Sequence, residues 1–303
     1  MDNNAELLTK EEILKELATL DPLDDDAFRL LAADDEQFIA LSEAILKKKL
    51  DEDKVIAING EISLFIRGKC IRLDSLRDTN IGYIGKEGQI NARRFPLKRH
   101  ILYVSVIYAY GIKEGEDYQV LKPAICIVLY KDKGDAALIE TASLSGSLIK
   151  TDEDKDQLQL ISINTKKWRD APTEELRAYF SCLHNGIITE ENKSDFDGVN
   201  IDSPVFTSFQ RAIRRACAEW KKEDHRQKGE NDMAAKYTRY ISEEERLEAE
   251  ARGEARGKAE GRMEGKSLSI QIFKLLKEGV PVQEISKRLK VTPKEVEEFR
   301  IAL

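Results

Sequence analysis

The stretch PAICIVLY, residues 123–130, is continuously apolar from Ala124 to Tyr130 and is flanked by polar residues. A half-exposed strand would alternate apolar and polar residues. An unbroken run of this length is expected of a strand covered on both faces. Such a strand needs helices on both sides, which restricts the chain to a layered α/β architecture. The preceding segment, LKRHILYVSVIYAYGI (97–112), has the length and apolar density of a buried helix. The loop after it contains Gly115.

Upstream, residues 10–20 read as a short helix. A second helix is expected from about Asp25 to Lys49, where Phe28, Leu31, Phe38, Leu41 and Ile45 fall near helical spacing. The texture then becomes β-type in VIAI (55–58), EISLFI (61–66), KCIRLDSL (69–76) and NIGYIGKEGQI (80–90). Asn59-Gly60, Arg67-Gly68 and Asp78-Thr79-Asn80 supply tight turns, predicting an antiparallel meander. LQLISI (158–163) adds a strand and TEELRAYFSCL (173–183) a helix; residues 187–204 read as loops.

Residues 205–240 carry 9 basic and 5 acidic residues and read as one amphipathic helix with Phe206, Phe209, Ile213 and Trp220 on one side. Beyond it, Gly253, Gly257, Gly261 and Gly265 recur every four residues among charges. Glycine costs a helix about 0.8–1 kcal/mol per site relative to alanine. Glu–Lys and Glu–Arg pairs four apart return only tenths. That helix is expected to be a solvated rod or to self-associate. Residues 267–303 read as a small helical unit whose VQEISKRLKVTPKEVEEF has helix-turn-helix spacing. Its second helix offers mostly Glu and Lys, which suits a packing or assembly hairpin better than reading bases.

The 303 residues carry 49 Lys and Arg against 56 Asp and Glu. Acids concentrate in residues 1–53, with 16 acidic and 6 basic residues. A net charge of −7 does not exclude nucleic acid, because the local field decides contact. No apolar run approaches the roughly 18–20 residues of a membrane span, and the acidic start is unlike a secretory signal. Four well-separated cysteines and three scattered histidines give no zinc-site spacing. A reduced, cytoplasmic protein without a membrane partner is expected.

Chemistry concentrates around CIRLDSL and KEGQ. Glu87 and Gln89 are two apart on an expected strand, so they share a face. An antiparallel neighbour brings Asp74 beside them. Two carboxylates with a polar group between them suit a hard cation such as Mg²⁺ or Mn²⁺. An Asp and a Glu on strands are also commonly solvated edge charges.

The order helix, three-strand meander, helix, strand resembles the PD-(D/E)xK nuclease superfamily, a restriction-endonuclease-like core. More closely it looks like the bacterial PD-(D/E)xK family transposases, the recombination-promoting nucleases (Rpn). The stretches that carry the resemblance are DDDAFRLLAADDEQFIALSEAIL (24–46), GKCIRLDSLRD (68–78), KEGQ (86–89), KRHILYVSVI (98–107) and GEDYQVLKPAICIVLY (115–130). The last is the most specific. The Gly-rich charged tail with a small helical unit is also typical of the family.

The resemblance implies a Mg²⁺- or Mn²⁺-dependent DNA endonuclease of transposase-like type. Asp74 and Glu87 would be the metal ligands, and Gln89 would stand where the superfamily has lysine. Asp26 matches an auxiliary acidic position, Arg99 a basic residue able to touch phosphate, and Tyr103 one of two adjacent tyrosines. DNA would be the partner, with localisation to the bacterial cytoplasm or nucleoid. Arg211, Arg214, Arg215, Lys221 and Lys222 are candidate DNA-backbone contacts, and a solvated amphipathic face is the alternative. Gly85, Lys86 and Gly88 depart from the family pattern. The two glycines point to a weakened or bulged strand, and Lys86 should face away from Glu87. The competing reading is a catalytically degenerate copy of the fold that binds DNA or assembles.

The expected organisation is a helical lead-in at 1–23, a nuclease-like domain at 24–185 and a loop with the basic helix at 186–242. A Gly-periodic helix at 243–266 and an all-α C-terminal unit at 267–303 follow.

Overall fold

Three short polar side chains start the N-terminal helices. Thr9 forms a reciprocal capping box with Glu12 at the head of α1 (Lys10–Leu17). Asp24 caps α2 (Asp25–Ala33), and Asp34 caps α3 (Asp35–Leu46) by accepting from the Gln37 N–H. The single helix expected over 25–49 is therefore two. Asp34 has extended backbone angles, and its carboxylate also meets Arg215 of a distant helix, so the break is fixed by a tertiary contact.

The chain is described by a computed structural model covering residues 9–51, 55–58, 61–64, 69–91, 96–145 and 156–243. It also covers residues 245–246, 249, 271–272, 274–278, 280–289, 291–293, 296–297 and 299. Two compact units are present, Met1–Ile241 and Ser242–Leu303.

The first unit is an α/β fold on a six-stranded mixed sheet. Its strands are β1 (Ile56–Ile58), β4 (Ser75–Thr79), β5 (Gly82–Asn91), β6 (Ala124–Asp132), β8 (Asp156–Asn164) and β7 (Ile139–Ser145), in that spatial order. β5, β6 and β8 run parallel; the other pairings are antiparallel. A separate hairpin, β2 (Glu61–Leu64) with β3 (Lys69–Arg72), is inserted between β1 and β4.

The expected meander is thus corrected. The run 69–76 divides at Leu73-Asp74 into strands of two different sheets, and Asp74 lies between them rather than on a strand. Its Oδ2 accepts the Gly88 N–H at 2.8 Å, so a side chain takes a ladder donor that a continuing strand would have met with a carbonyl. The turns at 59–60 and 67–68 lie outside the described residues. β4 and β5 are joined through Asn80-Ile81, with Thr79 and Gly82 still paired. β5 keeps a continuous register with β6 from Tyr83 to Gln89, without the bulge its glycines suggested.

α4 (Pro96–Tyr110) connects β5 to β6 and covers one face of the sheet. It packs Tyr103, Val104 and Ile107 on Cys126, Val128 and Tyr130. The other face packs Ile84, Ile125, Ile127, Leu129, Ile161 and Ile163 into the larger core. That core includes Phe28, Phe38, Phe180, Phe209 and Ile213 from α2, α3, α5 (Glu174–Asn185) and α6 (Pro204–Gln227). β6 is buried from Ala124 to Tyr130, as its unbroken apolar run requires.

The helix expected over 205–240 also divides. α6 ends at Gln227, Gly229 takes a left-handed φ of 78°, and α7 continues over residues 231–243. Residues 186–241 belong to the same unit as the sheet. β7, at the sheet edge, was not expected from its mixed composition.

The second unit gathers Ile272, Ile285 and Val296 into its own small core, with Leu275, Leu289 and Phe299 around it. Its best described helix is α8 (Val282–Leu289). The four periodic glycines lie outside the described residues. Among the described residues, no helix is long and apolar enough to cross a membrane.

Candidate functional site

β5 alternates its side chains between the two faces of the sheet. Glu87 and Gln89 point toward α4, while Lys86 and Gly88 point toward α2 and α3. On the α4 side, Arg99 lies in the second turn of α4, directly over the strand that precedes it. Its Nη2 donates to Glu87 Oε2 at 3.3 Å and its Nη1 to Gln89 Oε1 at 3.3 Å. Its Nε donates to the Tyr103 hydroxyl, one helical turn on, at 2.7 Å. The Gln89 amide donates to the Gly88 carbonyl at 2.7 Å.

Asp74 joins this group through its bond to the Gly88 N–H. The structure thus brings together Asp74, Glu87, Gln89, Arg99 and Tyr103. All five are residues to which the sequence assigned a role.

The electrostatics follow from burial. Glu87 is 2% exposed, and its carboxyl is pushed well above the usual range by burial first and by the negative charge of Asp74 second. The Arg99 guanidinium opposes that shift. Burial also raises Asp74. The Gly88 N–H pulls it back, and the charge of Asp25 raises it again. Glu87 Oε1 is buried with no hydrogen-bond partner among the described residues. Arg99 and the backbone N–H of Asp74 favour its charged form, so the carboxyl is only partly compensated.

Asp26 is not part of this group. It pairs with Arg29 at 2.7 Å, and its side chain is about half exposed. Asp25, its neighbour in α2, is the residue whose charge reaches both Asp74 and Glu87. The run Asp24-Asp25-Asp26 hid this, because only the choice of Asp24 as cap fixes which acid turns toward the sheet.

Sequence reasoning also missed His100 and Tyr130. The His100 Nδ1 and the Tyr130 hydroxyl are 3.1 Å apart, both residues buried, and Tyr130 stands opposite Gln89 in the ladder. Burial, with the charge of Arg99, lowers His100 to about 4, so it is neutral at pH 7. Burial raises the Tyr130 hydroxyl to about 12.

The departures at 85–88 have packing causes. Gly88 is forced: a Cβ there would stand 2.7 Å from Phe28 Cγ. At Gly85 it would meet Ile107 Cδ1 at 3.0 Å. Lys86 is fully buried and faces away from Glu87, donating to the Phe38 carbonyl at 2.6 Å and lying over the Phe38 ring. Burial holds its ammonium well below the usual lysine range, helped by the nearby charge of Arg77.

Three of the candidate backbone-contacting residues of α6 are ion-paired. Lys221 pairs with Glu16 at 2.9 Å, Lys222 with Glu219, and Arg215 with Asp34. Arg211 and Arg214 are half-buried on a helix whose Phe206, Phe209, Ile213 and Cys217 are in the core.

Among the described residues, no group of three or more His, Cys, Asp or Glu is placed to hold a metal ion. The oxygen donors nearest one another are the carboxylates of Asp74 and Glu87, which feel each other's charge, and the Gln89 amide, which shares Arg99 with Glu87. They are oxygen ligands of the kind a hard cation takes. The uncompensated Glu87 Oε1 is the atom such a cation would satisfy. No family model matches the chain, and neither does any of the curated proteins or solved structures compared with it.

Proposed function

We propose that this protein is a metal-dependent DNA endonuclease with a PD-(D/E)xK-type core, related in kind to the recombination-promoting transposases. The observation that carries the reading is the half-buried Asp74 beside the buried Glu87 of β5, with Glu87 Oε1 left without a hydrogen-bond partner among the described residues. Each acid disfavours the charge of the other, a cost that a bound divalent ion would relieve.

Asp74 and Glu87 would hold Mg²⁺ or Mn²⁺. The ion, when bound, supplies a Lewis acid for the phosphoryl oxygen and a bound water of lowered pKa. Gln89 has no ionisable group, so it orients water or phosphate by hydrogen bonding and takes up no proton. Arg99 is partly exposed and offers its guanidinium to a phosphate oxygen. The neutral His100 and Tyr130 form the wall behind Gln89.

A second reading, a degenerate copy that binds DNA or assembles, is favoured by one observation. Arg99 already pairs with Glu87, and Lys86, the lysine next to it on β5, is turned to the other side.

Conversion of supercoiled plasmid to nicked or linear DNA, with Mg²⁺ and with Mn²⁺, separates the two. Wild-type cleavage that is abolished in Asp74→Asn and Glu87→Gln, both folded by circular dichroism, is the expected result. Absence of cleavage with either ion from a folded wild-type protein leaves the degenerate reading in its place.

A further inference from the structure

We infer that Arg99 is an internal counter-cation that competes with the divalent ion for Glu87 and yields when a phosphodiester takes its guanidinium. The inference rests on Asp74 and Glu87 being metal ligands, and it adds a coupling between metal and substrate at that site.

Three features of the guanidinium support it. Its nitrogens are already engaged by Glu87, Gln89 and Tyr103, so it occupies the cationic position of the group. The bonds are unequal. The one to Tyr103 is 2.7 Å, while those to Glu87 and Gln89 are both 3.3 Å. A charge-assisted N–H···O bond in good geometry is about 2.7–2.9 Å, so the acid is held loosely while the helix anchors the arginine.

Its position is also graded toward solvent. The Arg99 side chain is 27% exposed against 3% for Glu87, so the cation sits at the mouth and the acid behind it. An incoming phosphodiester meets the guanidinium first.

The physical consequence is a linkage. Arginine and a divalent ion at one carboxylate repel each other in a poorly solvated site. A phosphodiester offers the guanidinium a fork of two oxygens, which matches its geometry better than the single Glu87 oxygen it now meets. Drawing Arg99 toward phosphate takes its positive charge away from Glu87, whose Oε1 is the oxygen open to the ion. Metal and DNA must then each tighten the binding of the other, by the same factor. The free protein is kept poor in metal, and the site loads when DNA is present.

Mn²⁺ binding by the full-length protein, read from the electron paramagnetic resonance of the free ion, tests this without relying on cleavage. It is measured with and without a short DNA duplex, using the duplex alone as blank. Without DNA, Arg99→Gln should bind Mn²⁺ at least about tenfold tighter than wild type, and Arg99→Lys should stay near wild type because it keeps the charge. Adding duplex should tighten Mn²⁺ binding in wild type and change it little in Arg99→Gln. Arg99→Met provides the same comparison should the glutamine variant fail to fold.

Saturable wild-type binding that neither neutral variant tightens overturns the inference, as does an equal effect of DNA on wild type and variant. A different pattern strikes the underlying reading. If Glu87→Gln binds Mn²⁺ as wild type does, or if no folded form binds it, the pair is not a metal site and the inference falls with it.

Discussion

Lys86 and Glu87 are consecutive on β5, both are almost wholly buried, and they enter opposite faces of the sheet. On the α2–α3 side, Lys86 meets one carbonyl and one aromatic ring, both of Phe38. Burial drives it toward the neutral amine, which resolves the cost of the charge internally. On the α4 side, Glu87 has a second acid beside it, a cation at the mouth and an oxygen with no partner among the described residues. One ionisable group is sealed; the other is left with unmet coordination. Burial alone therefore does not mark a site. What distinguishes Glu87 is burial together with a partly exposed cation and an oxygen without a partner among the described residues.

The largest expected effect tests that contrast through activity. If the proposed nuclease reading holds, Glu87→Ala should reduce plasmid cleavage at least about a thousandfold, roughly 4 kcal/mol in the barrier, because it would remove a metal ligand and the water activation that depends on it. Lys86→Met should leave cleavage within about threefold, since a side chain of similar volume replaces an amine facing the other way. Equal losses from the two would show that the faces are not functionally separate.

An intermediate effect concerns packing behind the site. Gly88→Ala should lower stability to urea by about 1–3 kcal/mol, because the new methyl collides with the Phe28 ring. Phe28→Leu costs stability by itself, yet combined with Gly88→Ala it should lose less than the sum of the single changes. Strict additivity in that cycle would place the strain elsewhere.

The smallest effect is the pH slope of stability in metal-free buffer, and its sign differs between the faces. The folded pKa of Lys86 lies below its unfolded value, so between the two the unfolded chain binds more protons. Stability then rises with pH toward about 10.4. The folded pKa of Glu87 lies above its unfolded value, so the native state binds more protons in that window and stability falls as pH rises through it. Each slope is at most about 1.4 kcal/mol per pH unit. Urea midpoints should lose the first slope in Lys86→Met and the second in Glu87→Gln. Retention of either slope in its own variant would assign it to another group.

Part of this was legible in the sequence. The apolar run at 124–130 specified a strand covered on both faces, and the two-residue period placed Glu87 with Gln89 and against Lys86. Both conclusions depend only on local pattern. What was not legible depends on contacts between distant segments. The break at Asp34 is held by Arg215, 181 residues away, and Gly88 is explained only by Phe28 of α2. Asp74 was expected on a strand because its neighbours are strand-like; its side chain instead substitutes for the ladder. The ion pairs of Arg215 with Asp34 and of Lys221 with Glu16 likewise join distant segments.

The substitution of a side chain for the ladder at Asp74 has a consequence for how the molecule comes together. The bonds that join Asp74 to β5, and β5 to Arg99, close loops of only 10 to 14 residues. Those that seal the opposite face span 48 residues at Lys86 and 181 at Arg215. Short loops cost little chain entropy and form early. The hydrogen bonds of the polar group are thus local in the chain, while α2 reaches the group through the charge of Asp25 and the Phe28 ring against Gly88. The local bonds can form before those long-range contacts are made.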